Sequence, residues 1–264
     1  MDNVSYNRAA PFFDVADPAF SVASAEVRQA RKAGWYARTS YGLAVLRYDQ
    51  VSRLIRHPAL RQGRRDPHDD LVTCLVMSLA DEGGLTKTEL RDSLVLLIFG
   101  GFDTTRNQLG LAMQVFLDHP DQWRLLSERP ELGTAAVEEV MRVRPTTTWV
   151  TREALADFTF DGLDIKAGTT IHLFCESAGT DAVQAGGGEF DITATGRPPH
   201  FGFGGGIHYC LGHYVARADM GTALTVLASR LGDPRPAGEA VWLPDSGNTG
   251  PVRLPIAFTG GAGI

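Results

Sequence analysis

The stretch Phe203-Gly-Gly-Gly-Ile-His-Tyr-Cys-Leu-Gly212 constrains this chain more than any other. It places one cysteine in a glycine-rich loop directly before a strongly helical segment, Leu211 to Leu231. Glycines let a backbone approach a flat ligand and take positive φ without a Cβ penalty. A helix start offers unpaired N–H groups and a positive dipole end, which favour a thiolate over a thiol. A thiolate held in this way is a soft ligand for iron. The loop therefore suits a haem-thiolate site with Cys210 as the axial ligand.

Composition narrows the alternatives. The 264 residues suit one large domain or two small ones and can bury a substantial core. The net charge of −6 comes without a basic block, which argues against a nucleic-acid partner. Arg61, Arg64 and Arg65 form a small basic cluster that reads as a solvated loop rather than a docking patch. No apolar run reaches the ~18–20 residues of a membrane span, and the first residues lack the pattern of a signal peptide. Cys74, Cys175 and Cys210 are too few and too widely spaced for a disulfide framework. A cytoplasmic protein without membrane contact is the expectation.

The periodicity predicts a mainly α fold with a minor β part. Helices are expected over 21–34, from Asp49 to His57, over 70–79, from about Thr86 to Leu117, from Pro120 to Arg129, and from Glu131 to Val143. Thr86-Lys-Thr-Glu89 has the form of a capping box for the longest of them. Tyr36–Thr39 and Leu43–Tyr48 read as strands across a Tyr41-Gly42 turn. Asp161-Gly162 and Ala167-Gly168 read as hairpin turns, and residues 178–199 as loop.

Three further features carry chemistry. Gly100 and Gly101 lie inside the longest helix, where each costs roughly 1 kcal/mol relative to alanine. They imply close passage of another group or an opened helix, and a helix–helix crossing explains them equally well. Asp103 and Thr104 follow, a carboxylate and a hydroxyl that together can relay protons. Glu139 and Arg142 share a helix face, and a surface ion pair is the default reading of such a doublet. Arg152, taken singly, reads as a surface arginine. His208, Cys210, His213 and His200 compose a weaker zinc alternative, which lacks a second thiolate. Gly204-Gly-Gly206 has no Lys-Ser/Thr after it, so it is not a phosphate loop.

In this order, Gly101-Phe-Asp-Thr104, Glu139-Val-Met-Arg142 and Phe203 to Gly212 resemble the cytochrome P450 family of the soluble bacterial type. The last motif is similar to the family pattern Phe-x-x-Gly-x-(Arg/His)-x-Cys-x-Gly at every defined position. The resemblance runs from about Pro18 to the C-terminus. It implies haem b (iron protoporphyrin IX), with Cys210 as proximal thiolate and Phe203 covering the sulfur side. Gly206 and Gly212 would permit the tight loop and the helix entry. His208 and Arg152 would face the propionates. Glu139 and Arg142 would fix the core behind the haem. Asp103 and Thr104 would supply protons to dioxygen, which would sit against Gly100 and Gly101. The implied activity is monooxygenation of a small apolar organic substrate, with electrons from a ferredoxin-type donor.

The chain departs from the family near 62–64. His57-Pro-Ala-Leu-Arg-Gln62 looks like the end of the family's helix B, and Arg64-Arg-Asp-Pro-His-Asp-Asp70 like the entry to its helix H. The region from helix B′ through helix G, which carries the lid and a propionate-binding helix, has no counterpart. The expectation is one cytochrome P450-like domain over 1–264, internally truncated, with its distal face open. Leu96, Leu97 and Phe99 would then form an apolar patch prone to self-association. A non-catalytic haem-binding remnant or interaction module is the alternative, and a structural domain without cofactor is a third reading.

Overall fold

The computed structural model describes residues 4–5, 9–17, 19–62 and 87–259. The expected helix over 70–79, Thr86 of the capping box, Cys74, Arg64 and Arg65 lie outside them. The helices are α1 Ala25–Ala33, α2 Tyr48–Leu54, α3 Lys87–Asp118, α4 Pro120–Glu128, α5 Gly133–Val143, α6 Cys175–Gly179 and α7 His213–Arg230. The strands are β1 Val4–Ser5, β2 Phe12–Phe13, β3 Tyr36–Thr39, β4 Gly42–Val45, β5 Leu60–Gln62, β6 Trp149–Ala154, β7 Phe158–Phe160, β8 Leu163–Ile165, β9 Thr170–Phe174, β10 Pro234–Pro236, β11 Val241–Trp242, β12 Pro251–Arg253 and β13 Ile256–Phe258.

Local chemistry sets many of these boundaries. Ser24 caps α1 by accepting the Val27 N–H at 3.3 Å, and Gly34 closes it by donating to Ala30 O. Pro120 opens α4 at its first position, where its missing N–H costs nothing. Helix α3 runs 32 residues straight through Gly100 and Gly101.

The main sheet has the order β2-β3-β4-β9-β6-β5. Strands β3 and β4 form the expected hairpin, while β4 and β9 pair in parallel. The latter pairing joins residues more than 120 positions apart, so local pattern does not reveal it. Turn residues Asp161 and Gly162, both at positive φ, join β7 to β8 as expected. Ala167-Gly168 is not a hairpin turn, because β8 pairs with β1 and β7 whereas β9 joins the main sheet. Two smaller departures follow from competing local geometry. Strand β4 ends at Val45 and Tyr48 already belongs to α2. A 3-10 turn, Pro130–Leu132, precedes α5 where a longer helix was expected.

The core has three parts. The one that matters for the site lies between the C-terminal half of α3 and helices α4, α5 and α7, around Phe116, Trp123, Leu126, Val140 and Leu224. The other two lie on the main sheet, around Leu43, Ile171 and Leu173, and around Ala44, Trp149 and Phe174. Phe116 is fully buried, edge-on to Trp123 at 5.2 Å and to Phe190 at 5.4 Å. Removing that ring leaves a cavity the helices cannot close, so Phe116→Ala should cost about 3–5 kcal/mol, read from the shift in denaturant midpoint.

Candidate functional site

Opposite faces of one cavity are built by α3 and by the loop before α7. The cavity holds about 250 Å³, and Gly100, Gly101 and Thr104 form one wall. Phe203, His208 and Cys210 form another, with Gly212 and Val215 at the start of α7. A Cβ built on Gly100 or Gly101 would meet no described atom within 4 Å, so no helix crosses α3 at these glycines among the described residues. They leave the helix wall smooth beside open space.

The cysteine loop is seated on α2. A Cβ on Gly205 would stand 2.9 Å from the Ile55 side chain, and one on Gly206 would stand 3.0 Å from Ile55 O. Gly206 also sits at φ +68, where L side chains are strained. Within the loop Cys210 N–H donates to Phe203 O at 2.9 Å, Tyr209 N–H to Gly206 O at 3.1 Å, and Gly204 N–H to Phe201 O at 2.8 Å. Cys210 is exposed, while Cys175 is buried in the sheet core.

Cys210 keeps solvent access, yet the packed loop covers part of its thiol, and this partial burial pushes the thiol up; the Gly212 N–H and the Arg217 charge oppose this without overcoming it. The helix start alone therefore does not lower this thiol, contrary to the expectation from the loop sequence. A coordinating metal would supply the missing drive, since it deprotonates a thiol outright. Burial pushes Cys175 up to about 12, outweighing the nearby Arg152 charge.

Arg152 is buried on β6, two residues beyond Val150, which lines the cavity. Burial lowers its pKa, and only the Cys175 group acts against that. Its guanidinium donates to Thr151 O at 2.9 Å and forms no ion pair with a carboxylate among the described residues. A buried cation without an anion fits a ligand that brings a carboxylate. Together with the exposed cysteine in the cavity and the bare helix wall, it fits a flat, carboxylate-bearing iron cofactor. Arg152 is therefore no surface arginine, although it does not itself line the cavity.

Thr104 lines the cavity and its hydroxyl donates to Gly100 O at 2.7 Å. Asp103 does not line it; its carboxylate pairs with Arg106 and accepts from Asn107 Nδ2 at 3.5 Å. The two residues expected to act together thus face different surroundings. His200 and His213 are engaged elsewhere, His200 with Gly202 N–H and His213 with Arg217. No group of three or more metal-binding side chains assembles among the described residues, so the zinc set does not converge.

Glu139 and Arg142 are buried rather than on the surface, joined by two hydrogen bonds of 2.8 Å. Arg142 also donates to the carbonyls of Gly179, Gly187 and Glu189 at 2.6 Å and of Ala185 at 3.3 Å. Glu139 accepts the Asp191 N–H at 3.1 Å and faces Arg197 at 3.3 Å. Arg197 carries no sequence signal, because it lies far from the doublet in an irregular loop.

Glu138, the residue beside Glu139, is also absent from the expected set. Burial pushes its carboxyl up, but the close approach of His200 and the hydrogen bonds and charge of Arg217 hold it down at about 2.

The comparisons agree with this architecture. A family model described as Cytochrome P450 matches residues 122–231. Luteothin monooxygenase of Streptomyces thioluteus is 41% identical over 202 residues, 76% of this chain and 50% of the relative. Nocardicin C N-oxygenase of Nocardia uniformis subsp. tsuyamanensis is 33% identical, over 75% of this chain and 50% of the relative. The chain spans about half the length of the curated relatives it matches. Among solved structures, a cytochrome P450 from Chondromyces apiculatus superposes with a TM-score of 0.76 at 19% identity, covering 96% of this chain and 100% of that one. The cytochrome P450 enzyme CxnD, described for C–S bond formation in chuangxinmycin biosynthesis, has a TM-score of 0.63 at 34% identity, covering 72% and 48%. With the cysteine loop, the buried Glu139–Arg142 pair and the glycine-walled helix in place, this chain belongs to the cytochrome P450 family.

Two outcomes test this geometry. Iodoacetamide at neutral pH should label Cys210 and spare Cys175 until the chain is unfolded, as read by peptide mass mapping. The depressed Glu138 pKa means that its contribution is present above the ordinary value of 4.5 and is lost as pH falls towards 2. Glu138→Gln should therefore flatten the pH dependence of the melting temperature across that window.

Proposed function

We propose that this chain forms the cysteine-ligating part of a haem-thiolate monooxygenase acting on a small organic substrate. The observation that carries the reading is the placement of Cys210 in one cavity with the bare Gly100–Gly101 wall. Haem b, when bound, would supply the electron-transfer and dioxygen chemistry. Cys210 Sγ would hold its iron and Arg152 would neutralise a propionate. Phe203 would shelter the sulfur from water. The Thr104 hydroxyl donates to Gly100 O, so its oxygen stays available to accept a hydrogen bond from cavity water. Asp103, engaged with Arg106, would have to release that pair to join the relay.

The named activities of the relatives support the reaction class, and a ferredoxin-type protein is the donor this reading expects. The shortness is read as an internal omission near Gly63 within one domain. A fold match that reaches 96% of this chain and 100% of its neighbour supports that reading. No helix among the described residues is long and apolar enough to cross a membrane.

A second reading, a haem-binding module without turnover, draws on the side of α3 away from the core. Ile98, Phe99 and Phe102 are about 70% exposed there, and Leu97 is partly so. An apolar surface of this kind favours self-association and admits water beside the cavity. The Leu96 side chain lies outside the described residues.

The test is the carbonyl complex of the reduced, haem-loaded chain. The parent should show the red-shifted Soret band of thiolate ligation, and Cys210→Ser should lose it. A histidine-type band unchanged by that substitution would sink the assignment. Product formation with a redox donor, uncoupled by Thr104→Ala, separates the enzyme from the inert module.

A further inference from the structure

Arg217 and Glu138 form a clamp that the known motifs do not include. Arg217 lies one turn into α7 and reaches back under the cysteine loop. Its Nε and Nη2 form a fork on Glu138 of α5, with Nη2 at 3.2 Å from Oε2. Its Nη1 lies 2.8 Å from His213 Nδ1 and donates to Tyr209 Oη at 3.4 Å. The guanidinium stands 4.4 Å from the centre of the Phe203 ring, within cation–π range. On the far side of Glu138, Oε2 stands 3.2 Å from Nε2 of buried His200, whose Nδ1 accepts the Gly202 N–H at 3.1 Å.

Glu138 is thus tied to both ends of the loop. Through His200 it reaches residue 202, where the loop begins. Through Arg217 it reaches Phe203, Tyr209 and the first turn of α7, where the loop ends. Phe203 O accepts the Cys210 N–H, so the backbone that carries the sulfur follows the position of Phe203. An arginine fork fixes two helices and a ring at once, which a flexible ammonium does not.

We propose that Arg217, anchored by Glu138, is a positioning residue that pre-forms the Cys210 loop before any ligand binds. Its consequence for iron ligation rests on the haem-thiolate reading, whereas the clamp itself does not. The same logic governs outer partners of metal ligands generally, which orient the ligand they touch without touching the metal.

The experiment is hydrogen exchange on the chain without haem, followed by the carbonyl spectrum of the loaded chain. Arg217→Gln and Glu138→Gln should each speed exchange at the Gly204, Tyr209 and Cys210 amides at least tenfold. Amides in the middle of α5 and α7 should keep their parent rates. The double variant should be no worse than either single one, since both break one clamp. After loading, each variant should show a smaller thiolate-type fraction than the parent. Arg217→Lys, the milder variant, should restore only part of the protection. Unchanged loop exchange, or equal acceleration through α5 and α7, would overturn the proposal. Loss of loop protection in the variants with no thiolate band even in the parent would sustain the clamp and sink the haem-thiolate reading.

Discussion

The buried Arg142 guanidinium holds this structure together at the point where its layers meet. A charge removed from water is costly unless it is paired and fully hydrogen-bonded. Glu139 supplies the pair, and the carbonyls of Gly179, Ala185, Gly187 and Glu189 take up the remaining donors. Gly179 ends α6, and the other three carbonyls belong to the irregular segment after it. The arginine therefore organises backbone that has no regular partner and fixes it to α5. A Cβ on Gly179 would stand 2.2 Å from Arg142 O, so the approach is as close as glycine allows.

The cysteine loop depends on that anchoring. Helix α5 carries Glu139 towards the irregular segment and Glu138 towards the loop, one residue apart. Glu139 holds the segment that leads to His200, and Glu138 meets His200 itself. The loop then rests on α2 at Ile55 and on Arg217 of α7. Three helices distant in sequence thus determine where one sulfur lies. The cavity beside it is set by α3, whose C-terminal half is buried against α4 and α5. Its earlier part, around Ile98 and Phe102, is exposed.

Signals confined to a few residues were legible in the sequence. Gly34, Pro120 and the Asp161-Gly162 turn mark element ends through their own backbone preferences, and the structure places the ends there. The glycine-rich cysteine loop and the Gly100–Gly101 pair likewise announce close packing or open space by composition alone. Partners brought together by the fold were not legible. The burial of Glu139 and Arg142 depends on carbonyls some 40 residues away, so the doublet looks like any surface pair. Arg152 looks exposed until β5 and β9 flank it. Arg197, Glu138 and Arg217 carry no spacing that distinguishes them from solvent-facing charges. The direction of the Cys210 shift was misjudged for a related reason. The helix start is visible in sequence, but the burial that opposes it arises only when the loop folds onto α2 and α7.

In the proposed haem-thiolate reading, Cys210 is the protein's bond to iron. Iron-edge X-ray absorption on the haem-loaded chain reads this ligand directly. One sulfur neighbour at the iron is expected in the parent and none in Cys210→Ser. A parent spectrum with only nitrogen and oxygen neighbours would contradict it.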